Sequence, residues 1–239
     1  MHEVVSHQEW LEARKALLEK EKELTRLCDD MARRVRELPW EKVDKDYSFE
    51  GPGGRQSLGD LFEGRSQLIV YHFMFDPAWE EGCKSCSFMA DHYEPAIVHL
   101  KERDVTLTTV SRAPLDVIEP FRKRMGWGFN WVSSFESDFN RDFDVSFTPE
   151  GMESGDMTYN YKRQAFPSTE GPGLSVFHRG EDGTIYHTYS CYARGLDRFL
   201  TAYTLLDVTP KGRDEDELPY TMAWIRHHDR YGTDLVGIG

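Results

Sequence analysis

The longest apolar run is Leu68 to Phe75, LIVYHFMF, which contains His72 and is closed by Asp76-Pro77. A short continuous run bounded by turn residues predicts a strand buried on both faces. The N-terminal pattern is different. Ser6-His7-Gln8-Glu9 fits a capping box, and behind it Trp10, Leu17, Leu24, Met31 and Leu38 recur every seven residues, with Ala13 and Leu27 between them. The intervening positions are mostly Glu, Lys and Arg, so the spacing predicts a long amphipathic helix ending before Pro39. Its stripe suits docking on its own domain, the plainer reading, or pairing with a second copy in a homodimer.

The turn cluster Gly51-Pro52-Gly53-Gly54 predicts a small hairpin, and DLFEG a short helical turn leading into the apolar strand. Beyond that strand, Ser87 to Arg103 carries Phe88, Met89, Tyr93, Ile97, Val98 and Leu100 at helical spacing, with a kink expected at Pro95. Val105 to Val110 reads as a strand, Pro114 opens a helix, Phe129 to Ser133 is a third strand and Asp138 to Phe143 a short helix. Strand and helix alternate with short connections, which predicts parallel strands with right-handed crossovers. Residues 148–172 lack periodicity and read as a long surface loop. LSVFHR and TIYHTYS flank Gly180-Glu181-Asp182-Gly183 as a hairpin; Gly195 to Leu206 is a closing helix and Tyr220 to His228 a short one.

Composition narrows the function. The chain has 239 residues and a formal net charge of −13, which argues against nucleic acid and anionic membrane surfaces as partners. No apolar run reaches the roughly 20 residues of a membrane helix, and MHEVVSHQEWLEARK lacks the basic and apolar segments of a signal peptide. A cytoplasmic location is expected. Four cysteines, Cys28, Cys83, Cys86 and Cys191, are too few for a disulfide scaffold. Cys83-Lys84-Ser85-Cys86 stands between the buried strand and a helix, an arrangement suited to dithiol chemistry; Cys28 lies outside the helical stripe.

Several segments together carry a resemblance: YHFMF, GC-x-SCSF-x-AD, SRAPL, MGW-x-FNWVSS, DFN-x-DF-x-V, PGLSVF, HTYS-x-YARGLD and DVTPKGRDE. From about Trp10 to Glu215 the chain resembles a bacterial family of unknown function, DUF899, whose members are often labelled predicted dithiol-disulfide oxidoreductases. The resemblance implies an α/β, thioredoxin-like fold in its peroxiredoxin-like elaboration: a central mixed sheet flanked by helices, with an N-terminal helical extension. Domains follow as a helical extension over 1–45, a thioredoxin-like domain over 46–210, and a tail with a short helix over 211–239. Lys84 stands where the family usually has proline, and Cys191 where it usually has threonine.

At a helix N-terminus, Cys83 meets unpaired amides and the positive end of the helix dipole, which favour thiolate. Lys84 adds a cation, while Glu80 and Glu81 oppose it, so moderate acidity is expected. Cys83 is assigned as nucleophile and Cys86, one turn later, as resolving thiol, with Ser85 between them. His72 offers a proton relay to Cys86, although a satisfied core histidine is the plainer reading; Asp76 is a second acceptor or simply a turn. Pro172-Gly173 resembles the start of the thioredoxin hairpin, which implies a cis proline facing the dithiol. The hairpin then returns Tyr189 to Arg194 to the same end. Tyr192 and Arg194 become substrate-binding candidates, with a surface ion pair the alternative for Arg194, and Cys191 a third thiol or packing. Trp79, Trp127, Phe129 and Trp131 line a pocket or fill the core.

No cofactor and no bound metal are expected. The partner is a protein or small-molecule disulfide or thiol. Two alternatives remain: a thiol peroxidase, against which Trp79-Glu80-Glu81-Gly82 lacks the Thr-x-x-Cys arrangement, and metal binding by Cys83, Cys86 and His178 or His187.

Overall fold

The structure, a computed structural model, describes residues 2–232. The chain divides into a unit ending at Trp40 and a unit from Glu41 onward. This places the boundary before residue 45, because Glu41–Lys42 already forms a strand of the sheet.

The first unit is helix α1 (His7–Arg36). Glu9 N–H donates to the Ser6 hydroxyl at 3.3 Å and Ser6 N–H to the Glu9 carboxylate at 2.9 Å, completing the expected capping box. Ion pairs such as Arg14–Glu21 and Arg33–Glu37, each 2.8 Å, run along the helix. No residue of α1 is buried, and Trp10, Leu17, Leu24 and Met31 are exposed along it.

In the second unit, β1 (Glu41–Lys42) is followed by the predicted hairpin of β2 (Ser48–Gly51) and β3 (Gly54–Ser57). The apolar run forms β4 (Gln67–His72), and the helix after it breaks at Glu94–Ala96 into α2 (Lys84–Tyr93) and α3 (Ile97–Lys101). The break has the expected cause, since Pro95 cannot donate its backbone hydrogen bond. Then come β5 (Val105–Ser111), α4 (Leu115–Arg124), β6 (Trp131–Ser133) and α5 (Phe139–Asp142). Residues 148–172 are not a plain loop: they hold α6 (Pro149–Ser154) and a hairpin of β7 (Met157–Tyr159) and β8 (Lys162–Gln164), which buries Met157 and Tyr159. The expected last hairpin is β9 (Gly173–Arg179) and β10 (Ile185–Tyr192), and α7 (Thr201–Leu206) closes the core.

Among the described residues eight strands form one sheet, in the order β1-β10-β9-β4-β5-β6-β2-β3. β4, β5 and β6 are parallel, while β9 runs antiparallel to β4 and β10 antiparallel to β9. The central order β5-β4-β9-β10, with α2 crossing over between β4 and β5, is the thioredoxin-like arrangement. The pleat of β4 divides the core. Leu68 and Val70 meet Phe62, Phe139 and Phe177 on one face, while Tyr71 and then Phe73 and Phe75 meet α2, α4 and Trp131 on the other. Both faces are covered, which is why this strand reads as a continuous apolar run rather than an alternating one.

The segment Tyr220 to His228 is not helical. It runs in turns to a single 3-10 turn at His228–Arg230, and it buries Ile225 and His227. The tail is therefore part of the body rather than an appendage.

Candidate functional site

After β4 the chain turns at Asp76, whose carboxylate accepts from Ala78 N–H and from the Thr169 hydroxyl, both at 2.8 Å. Asp76 is a turn residue, as the plainer reading has it. Met74 then fastens both ends of the Cys-x-x-C segment: its carbonyl accepts Cys83 N–H at 3.1 Å, and its own N–H donates to Cys86 Sγ at 3.4 Å. The four cysteines are free thiols.

Cys83 is the N-cap of α2 with extended backbone, partly open to solvent, whereas Cys86 is buried. Interaction with the Cys86 thiol lowers the Cys83 pKa to about 7, against the opposing effect of burial and with help from the Cys86 and Ser85 amides. Burial pushes Cys86 well above its ordinary value, and the neighbouring Cys83 pushes it further. The two thiols are thus displaced in opposite directions, Cys83 toward thiolate and Cys86 toward thiol. Lys84 is exposed and does not enter the causes of the Cys83 shift, so the expected tuning by this cation is replaced by amides and the second thiol. Nor does Glu81 oppose the thiolate; it is taken up by ion pairs to Arg124 and Arg230.

His72 does not reach the dithiol. Tyr71 and His72 are adjacent on β4 and so point to opposite faces: Tyr71 faces Cys86, while the His72 ring stacks on Phe139 and Phe143 and bonds Ser175 Oγ at 2.9 Å. Burial lowers its pKa to about 3, and its Nδ1 has no hydrogen-bond partner among the described residues. It is a neutral core histidine. The polar group behind the cysteines is Tyr71, whose hydroxyl acts on Cys86 and favours its thiolate.

A cavity of about 80 Å³ lies beside the dithiol, bounded by Tyr71, Met74, Cys86, Met89, Pro172 and Met222. Ser85 lies on its wall, and Asp197 is its one charged residue among the described residues. A cleft of about 410 Å³ by Ser48–Glu50 and Ser133–Glu136 is larger but holds no thiol. Pro172 therefore faces the dithiol as expected, but its peptide bond is trans, there being no cis bond among the described residues. The flanking chain is held in ordinary extended pairing, with Gly171 N–H on the Val145 carbonyl at 2.8 Å and Gly173 opposite His72 and Tyr192. Gly173 stands here for a steric reason, since a Cβ would lie 2.9 Å from the Tyr192 ring and 3.0 Å from Val145.

Of residues 189–194, only Ala193, just past the end of β10, reaches the cavity wall. Tyr192 points to the other face and donates to the Phe143 carbonyl at 3.1 Å, because the alternation of β10 puts Cys191 on the dithiol side instead. Arg194 is largely exposed and pairs with Asp197 at 3.2 Å, which is the surface ion pair. Cys191 is buried against Gly195, and burial raises its pKa. It does not line the cavity. Trp127, Phe129 and Trp131 are buried core residues, and Trp79 is a partly buried residue at the edge of the same core. His178 and His187 pair with Tyr186 and Phe177, toward the far end of the hairpin from Gly173, so they cannot complete a metal site with the two thiols.

Two features have no counterpart in the sequence reading. Glu170 is buried, accepts from the Ser146 hydroxyl at 2.5 Å and lies 3.4 Å from Arg112; burial raises its pKa to about 8. His227 is buried against Gly82, 145 positions away in sequence. Local periodicity carries no signal for either contact.

Among the described residues no helix is long and apolar enough to cross a membrane. A family model described as "Bacterial protein of unknown function (DUF899)" matches residues 1–231. No curated protein matches. Among solved structures the chain is similar to a PrxQ mutant from Xylella fastidiosa (13% identity over 70% of this chain and 94% of that one, TM-score 0.43). Similar too are the peroxidoxin BcpB of Mycobacterium tuberculosis (12%, 69% and 94%, TM-score 0.45) and AhpC of Enterococcus faecalis (15%, 71% and 93%, TM-score 0.46).

Proposed function

The chain belongs to the bacterial family of unknown function DUF899, and from that premise we propose that it is a thiol-disulfide oxidoreductase working through Cys83 and Cys86. The observation that carries this reading is the opposite displacement of the two thiols, Cys83 downward to about 7 and Cys86 upward, within one turn of α2.

The Cys83 thiolate attacks one sulfur of a substrate disulfide, forming a mixed disulfide and expelling the other substrate sulfur as thiolate. Cys86 then loses its proton and attacks Cys83 Sγ, which releases the second substrate thiol and leaves a Cys83–Cys86 disulfide. Two electrons pass to the substrate, and an external dithiol returns them. Tyr71 and the Met74 amide favour negative charge on Cys86 at the moment of resolution, offsetting part of its burial. The wall of Tyr71, Met74, Met89 and Pro172 keeps water from the resolving sulfur.

The test is disulfide turnover by wild type, Cys83→Ser and Cys86→Ser, with parallel peroxide and metal-ion arms. Turnover should vanish in Cys83→Ser, and Cys86→Ser should accumulate a mixed disulfide. Turnover that survives Cys83→Ser rules the mechanism out. Peroxide consumption without disulfide turnover would assign a peroxidase, and stoichiometric copper or zinc on the wild type a metal-binding protein.

A further inference from the structure

The segment after Trp224 folds back onto the loop that delivers Cys83. His227 is 1% exposed, and both ring nitrogens are engaged. Nε2 lies 2.9 Å from the Gly82 carbonyl and Nδ1 2.9 Å from the Arg124 guanidinium. A carbonyl only accepts and a guanidinium only donates. Nε2 therefore carries the proton, Nδ1 carries none, and the neutral ring in this one tautomer satisfies both neighbours.

The loop is fixed at three consecutive residues. The Glu81 carboxylate pairs with Arg124 of α4 and with Arg230. The Gly82 carbonyl is taken by His227, and a Cβ on Gly82 would lie 2.6 Å from Phe73 and 2.9 Å from Phe121, so this residue packs flush against the core. Cys83 N–H is held by Met74. Of these three anchors only the middle one depends on an imidazole, a ring that can take up a second proton. Met222, just before this segment, forms part of the cavity wall beside Cys86.

We propose that His227 is a positioning residue for Cys83, holding the Gly82 carbonyl so that the Cys83 sulfur stays over the first turn of α2, and that a second proton on its ring releases this strap. The proposal rests on the dithiol reading above. The charged groups facing the ring are Arg124 from α4, Glu81 from the loop at 3.8 Å, and Asp229 and Arg230 from its own segment, with the Phe121 ring 5.3 Å away. Protonating Nδ1 turns an acceptor into a donor facing the Arg124 donor, and it places the charge in a buried site. Glu81 favours that charge, but burial leads the balance and lowers the His227 pKa. The strap is thus held at neutral pH and let go in acid, where the Cys83 sulfur loses its hold on the helix start.

The test measures the alkylation rate of Cys83 by iodoacetamide in the reduced full-length protein from pH 5 to pH 9, with the modified residue located by mass spectrometry. Wild type should show a midpoint near 7 and fall more steeply on the acid side than one proton allows. In His227→Phe the midpoint should move toward that of free cysteine, slowing alkylation at pH 7 by about tenfold. His227→Gln offers an amide donor and a carbonyl acceptor without a titrating ring, so it should keep the neutral rate and fall with a one-proton slope. A His227→Phe profile identical to wild type, or a His227→Gln profile with the same steep acid limb, overturns the positioning role. If His227→Phe does not fold, the slope of His227→Gln decides alone. A wild type whose Cys83 titrates like free cysteine overturns the dithiol reading itself, which is a different result from a wild-type midpoint near 7 with unaltered variants.

Discussion

The Met74 amide donates to the Cys86 sulfur at 3.4 Å, so this buried thiol is held by the segment that follows β4 as well as by its own helix. The Tyr71 hydroxyl acts on the same sulfur. Both favour thiolate in a site where burial disfavours it. Tyr71→Phe removes one of the two donors with almost no change in volume, and a hydrogen bond to a charged group contributes about 1.5–3 kcal/mol. The variant is expected to keep the first attack by Cys83 and to resolve the mixed disulfide about tenfold or more slowly. Quenched-flow trapping of the mixed disulfide checks this, and an unchanged lifetime removes Tyr71 from the mechanism.

The thiol split also predicts how stability varies with pH. Cys83 has a folded pKa of about 7, below its ordinary value. The native state therefore favours its thiolate, and the contribution is fully present above the unfolded pKa and lost as pH falls through 7. Cys86 is raised, so it subtracts stability only when pH rises above the unfolded value near 8.5–9. Between pH 7 and about 8.5 the reduced protein should gain denaturation midpoint relative to Cys83→Ser. Parallel urea titrations of the two proteins check it, and parallel curves across that window would contradict the shift.

Much of this site is legible in the sequence because its parts are local. The buried run of β4, the Cys-x-x-C at a helix start and the turn at Gly180–Gly183 fix the hairpin return, and Gly173 does pair with Tyr192 beside the dithiol. What fails is the assignment of side chains to faces. Tyr71 and His72 differ by one position, and the pleat sends one to each core cluster; an unbroken apolar run gives no phase from which to choose. Tyr192 and Cys191 fall on opposite faces for the same reason, Tyr192 on the side away from the dithiol. The contacts of Gly82 with His227 and of Ser146 with Glu170 join segments far apart in the chain, and no periodicity encodes them.

Lys84 stands between the two thiols yet points to solvent. Exposed charges act weakly across water and salt. Lys84→Ala should therefore shift the Cys83 alkylation midpoint by no more than about 0.3 unit. A downward change in reactivity of tenfold at pH 7 would restore the lysine as the tuning group.

Gly82 has no room for a side chain, with Phe73 and Phe121 closer than any Cβ tolerates. Gly82→Ala should cost about 1–3 kcal/mol through overpacking. It should also displace the carbonyl that His227 holds, so that Cys83 reactivity at pH 7 falls together with stability. Thermal melts and alkylation rates on the same variant separate the two effects; a destabilised protein with wild-type reactivity would show that the loop tolerates the shift.

Glu170 provides a test of the opposite sign. Burial raises its folded pKa to about 8, so the native state holds a proton that the unfolded chain releases above its ordinary value of 4.5. The contribution to stability is fully present below 4.5 and lost as pH rises through 8. Arg112 at 3.4 Å and the Ser146 hydroxyl reduce the penalty without cancelling it. Glu170→Gln keeps the shape and the acceptor toward Ser146 but has no proton to lose. Relative to wild type, its stability should rise by roughly 2–4 kcal/mol between pH 5 and pH 8. Denaturant midpoints of the two proteins across that range give the difference directly. A difference that stays constant with pH would mean that Glu170 ionises in the fold at its ordinary value, with Arg112 supplying the full compensation.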